Sequence, residues 1–135
     1  MACSFFGKPA PEQCLLAQQF LGIGNCCPAG GNSACNQRLP EANVPKLYQS
    51  VLLQSTTIAI DDMTFQLTLG AGALLLLLVA FPATYHFILL SEYNAGSYTV
   101  NDPEYATPSP ATYDEINTAY QSGGNIADAW RIDGA

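Results

Sequence analysis

Hydrophobic and polar positions divide the chain into two polar arms around one long apolar run. That run, residues 63–91 (MTFQLTLGAGALLLLLVAFPATYHFILLS), carries no Asp, Glu, Lys or Arg. As a helix rising 1.5 Å per residue, its core at 65–90 is about 39 Å long, enough to cross a hydrocarbon layer of about 30 Å. The pattern predicts a single-pass transmembrane helix over 63–91 and a mainly α chain. Loop-rich, extended arms with short amphipathic helices would flank the span, with no independent globular core. Four segments follow: a cysteine-rich irregular arm (1–44), an amphipathic juxtamembrane segment (45–62), the span (63–91) and an acidic, Tyr-rich tail (92–135).

Local signals fill in the arms. Pro11 and Glu12 suit the first turn of a short helix in which Cys14, Leu15, Gln18 and Leu21 recur at helical spacing before Gly22 and Gly24 stop it. Gly24, Pro28, Gly30, Gly31, Asn32, Pro40 and Pro45 punctuate a loop. Beyond it, Leu47, Val51, Leu52 and Ile58 share a helical face, and the β-branched Thr56, Thr57 and Ile58 favour a break or an extended piece before Asp61. Asp61 and Asp62 supply an N-cap and a negative charge where the helix dipole is positive. In the tail, Thr112 and Glu115 form a capping box opening a short helix to about Gln121, ended by Gly123 and Gly124. Asn125 then caps a further turn and a half carrying Ile126, Ala129 and Trp130.

Inside the predicted span, Gly70, Gly72, Ala73, Pro82 and Ala83 are the candidates for close helix packing, with Pro82 bending the helix. His86, the one histidine of the chain, has three readings. It is a hydrogen-bonded residue at interface depth, an axial ligand to a haem or chlorophyll on a neighbouring subunit, or part of a proton relay. No other cofactor is implied.

Charge narrows the partners. Residues 1–62 set Lys8, Arg38 and Lys46 against Glu12, Glu41, Asp61 and Asp62, a net of −1. Residues 92–135 carry seven acids against Arg131, a net of −6. Nucleic-acid binding and polybasic attachment to anionic lipid both lack their basic footprint. No cleavable leader is visible, so the internal helix would itself direct insertion.

All five cysteines, Cys3, Cys14, Cys26, Cys27 and Cys35, lie in the first 35 residues. Two disulfides would staple an arm with almost no core of its own and leave one thiol over. Unbridged thiols and a metal site are the rival readings, the latter without the C-x2-C spacing of a zinc knuckle. In the tail, Tyr105, Tyr113, Tyr120 and Trp130 have few aliphatic neighbours and suit contact with a partner protein.

No nucleophile elbow, phosphate-binding loop or metal-ligand cluster is present, and no small-molecule substrate is implied. The expectation is a non-enzymatic, single-pass accessory or structural subunit. It would brace a multi-protein membrane complex, of energy-converting type, in contact with other subunits and lipid. The alternative is a structural membrane protein of a membrane-containing virion.

Overall fold

The structure, a computed structural model, describes residues 2–9, 12–27, 33–35 and 39–134. The apolar run bends twice and forms parts of three elements, so the expected transmembrane helix is overturned. Helix α4 (Asp62–Gly70) ends inside the run, strand β2 (Leu74–Ala80) takes its leucines, and strand β3 (Tyr85–Asn94) takes the remainder. Between α4 and β2 the chain turns through Gly72 at φ +85°, a left-handed conformation that glycine adopts without a Cβ clash. Between β2 and β3 a hairpin closes over residues 81–84, where Phe81 N–H donates to Thr84 C=O at 2.8 Å and Pro82 sits in the turn. No described helix is long and apolar enough to cross a membrane. The single-pass placement therefore fails together with the mainly α class. Of the proposed helix-packing residues, Gly70 closes α4, Ala73 is buried ahead of β2, and Pro82 and Ala83 are exposed in the hairpin.

The remaining elements are α1 (Ala2–Phe5), α2 (Gln13–Leu21), α3 (Val44–Ser50), β1 (Leu53–Thr57), β4 (Ser97–Asn101), β5 (Ser109–Ala111), α5 (Tyr113–Ala119) and β6 (Asn125–Gly134). Helix and strand are about equally represented. The six strands make one antiparallel sheet in the order β1-β6-β2-β3-β4-β5. β2 is paired on both sides and covered on both faces. Leu75, Leu77 and Val79 point to the face packed by Phe65 of α4 and Ile116 of α5. Leu74, Leu76 and Leu78 point to the face packed by Ala2 of α1 and by Val44 and Tyr48 of α3. An independent core thus exists on each side of the sheet, contrary to the expected loop-rich arms.

Sequence-local signals hold where they rest on caps. Asp61 caps α4, accepting from Thr64 N–H at 2.8 Å. Thr112 and Glu115 form the capping box of α5. Gly22 closes α2 in the left-handed conformation. The expected helix after Asn125 is instead β6, the central partner of β1 and β2. The helix start at Pro11 and the loop positions Pro28, Gly30, Gly31 and Asn32 lie outside the described residues.

Candidate functional site

Two features on one end of the sheet hold the candidate chemistry. The first is a polar clasp built on Asp102, which follows β4 and is 4% exposed. Its Oδ1 accepts from His86 Nε2 at 2.6 Å and from Glu104 N–H at 2.9 Å. Its Oδ2 accepts from the Tyr120 hydroxyl and from Gln121 Nε2, the latter at 3.2 Å. Gln121 also reaches the Tyr105 hydroxyl at 3.1 Å. Strand β3, the end of β4 and the α5–β6 turn are thereby tied to one carboxylate.

Electrostatics keep that carboxylate ionised. Burial alone would raise its pKa, but the hydrogen bonds from Tyr120, Glu104 N–H and His86, with the charge of His86, hold it below the ordinary range. An ionised carboxylate only accepts, so His86 Nε2 carries the proton of their bond. The Tyr120 phenol is pushed well above its usual value by burial and then by its bond to Asp102. A second carboxylate–tyrosine pair stands at the start of α4. The buried Tyr98 hydroxyl donates to Asp62 Oδ1 and to Asp62 C=O, and burial followed by that contact raises its pKa strongly.

The second feature is a groove of about 570 Å³ between α2 and the sheet. Leu16, Ala17 and Phe20 of α2 line one wall, Tyr85 and Phe87 of β3 the other, with Leu39 and Leu47 alongside. His86 and Pro103 close one end, so the groove abuts the clasp. Helix α2 has no buried residue. Two disulfides hold its segment together, Cys14–Cys27 and Cys26–Cys35, assisted by Cys26 N–H donating to Gln18 Oε1 at 3.0 Å. Cys3 is unbridged and half-buried.

For metal ligation, His86, Asp102 and Glu104 bring one donor atom each to within 4.8 Å of one another. Both oxygens of Asp102 already accept two hydrogen bonds, so a cation there would displace His86 or Tyr120. Glu12, Cys14 and Cys27 also converge, but the two sulfurs are bonded to each other. A haem or pigment would find only Nδ1 of His86 open, the Nε2 side being oriented by a carboxylate as ligand histidines commonly are.

The aromatic residues assigned to partner contact separate. Trp130 is in the core beside Phe87, Tyr113 packs on Phe65 and donates to Ile60 C=O at 3.2 Å, and Tyr120 joins the clasp. Tyr105 is 58% exposed. Asp102 and Gln121 escape a reading of the sequence because the clasp gathers positions 86, 102, 104, 120 and 121 with no spacing motif among them. No protein-family model, characterised protein or solved structure matches this chain.

Proposed function

We propose that this protein is a non-enzymatic structural module that joins a larger protein assembly by receiving an apolar segment of a partner chain in the groove beneath α2. One observation carries the reading: the groove is lined mainly by apolar side chains, and among the described residues no Asp, Glu, Lys or Arg lines it. A trough of Leu, Phe, Ala and Tyr side chains orders water poorly and favours aliphatic or aromatic knobs. The His86–Asp102 pair beside it supports the same reading. Nucleophilic catalysis through such a pair needs a serine, threonine or cysteine beside it to activate. Among the described residues lining the groove only Cys35 is of that kind, and it is bonded to Cys26. The saturated carboxylate is suited to fixing the end of the sheet.

The test compares native purification of the tagged chain with that of Ala17→Asp, which places a charge on the groove wall. The expected result is a defined stoichiometric complex from the first and at least tenfold less partner from the second, with unchanged circular dichroism. Equal recovery of the same partner by both chains would refute the groove as the docking site. Turnover of a substrate by the purified chain would refute the non-enzymatic reading.

A further inference from the structure

The two edges of the sheet are built differently. β5 is three residues long, contains Pro110 and follows Pro108, so it offers a poor template for another strand. β1 is five residues long, LQSTT, without proline or charge, and among the described residues it pairs only with β6.

Which groups face outward from β1 follows from one bond. Ile58 N–H donates to Ala129 C=O at 3.1 Å, continuing the register that sets Thr57 opposite Trp130. Antiparallel pairs alternate between bonded and non-bonded positions. Residues 54, 56 and 58 therefore bond to β6, while Leu53, Ser55 and Thr57 direct their N–H and C=O groups away from the sheet. Ser55 lies at the centre of that outward set. Its side-chain Oγ is also buried without a hydrogen-bond partner, which sets it apart among the described side chains.

We infer that a second copy of this chain pairs with β1, antiparallel, about a two-fold axis at Ser55, making one continuous sheet through both copies. In this register Ser55 faces Ser55 of the other copy, and Leu53 faces Thr57 in both directions. All three outward residues then exchange N–H and C=O bonds. The two Ser55 side chains emerge on the same face with Cβ atoms about 5 Å apart. The flanks fit as well: Leu52, 65% exposed, comes opposite Ile58 of the other copy, near its exposed Ile60.

Charge favours β1 over most other surfaces for a contact between two copies. At a net charge of −7, two copies repel across most of their surfaces. β1 has no charged residue, and Arg131 and Asp133 on the adjacent β6 neutralise each other through a bidentate pair. Self-pairing is an isologous contact, in which one patch serves both copies.

Cysteine cross-linking tests the register directly. Directly opposed residues at a bonded position lie about 5.5 Å apart at Cα, within disulfide reach. In a Cys3→Ser background, Ser55→Cys should form a covalent dimer under mild oxidation, at least tenfold faster than Gln54→Cys, whose two-fold mate is Thr56. Sedimentation of the unaltered full chain should give twice the 14.4 kDa mass, shifting to the monomer on dilution. A monomer at every concentration overturns the proposal. A dimer in which the two cysteine variants cross-link equally places the interface elsewhere and overturns it too. So does a chain that is monomeric alone but accepts a strand of a different protein at β1. Because the Ala17→Asp variant leaves β1 untouched, this proposal and the groove reading can fail separately.

Discussion

Strand β2 and helix α2 are both rich in apolar residues, yet they are held by opposite means. In β2 six of seven residues are buried, with side chains alternating into two cores and backbone bonds on both flanks. In α2 no residue is buried, and its segment is fastened by two disulfides within residues 14–35. The centre of the molecule therefore rests on burial, which is cooperative and indivisible. The flap over the groove is shaped by covalent links within itself, and neither disulfide ties it to the sheet. The groove thus has one wall braced only within itself and a floor fixed by the sheet.

The most severe way to break the comparison is to remove packing from β2. Leu77 is fully buried among Phe65, Ile88 and Ile116. Leu77→Ala should lower unfolding free energy by about 2–5 kcal/mol, the range for leucine truncation in well-packed cores. Urea unfolding followed by Trp130 fluorescence reads this, since Trp130 pairs opposite Leu76. A loss below 1 kcal/mol would show that the sheet is not the principal stability element.

The Asp102 clasp comes next. Asp102→Ala leaves His86, Tyr120 and Gln121 without their acceptor and should cost about 2–3 kcal/mol, the scale for hydrogen bonds to a charged group. The sign of its pH dependence is fixed by the lowered pKa. Stability from Asp102 is fully present above the unfolded carboxyl value of about 4, and it is lost as pH falls through the folded value. Asp102→Asn should flatten that acid limb. On the alkaline side, burial and carboxylate contacts raise Tyr98 and Tyr120, and burial followed by the charge of Cys3 raises Tyr48 to about 12. These phenols contribute stability that is whole below about pH 10 and drains as pH rises towards their folded values.

The same contrast explains what was legible in the sequence. Caps were readable because they are local: Asp61 with Thr64, Thr112 with Glu115, Gly22 after Leu21. The core was not. A strand covered on both faces has no polar alternation, so Leu74 to Val79 reads equally as buried strand or membrane helix. Gly70, Gly72 and Pro82 did mark its limits, but a transmembrane helix tolerates each of them. In β6 a bulge at Ala127 shifts the register between Leu78 and Val79. Ile126 and Ala129 therefore share one core while Trp130 and Ile132 share the other. The i, i+3 spacing of Ile126 and Ala129 imitates a helix. The clasp and the outward set of β1 depend on strand pairings between distant positions, which leave no trace in local pattern.

The smallest expected effect sharpens the comparison most. Reducing the disulfides should free the α2 segment while hardly moving the unfolding midpoint of the sheet. Cross-links of this loop length can contribute about 3 kcal/mol to a cooperative unit. That contribution counts towards the sheet only if flap and sheet unfold together, and a helix with no buried residue gives them little reason to do so. Limited proteolysis after reduction should cut within residues 12–27 at least tenfold faster, while Trp130 fluorescence and the urea midpoint stay within error of the oxidised chain. A midpoint that drops in step with the new cleavage would show that the flap belongs to the cooperative core, and the groove beneath it would then be a fixed cavity rather than an adjustable one.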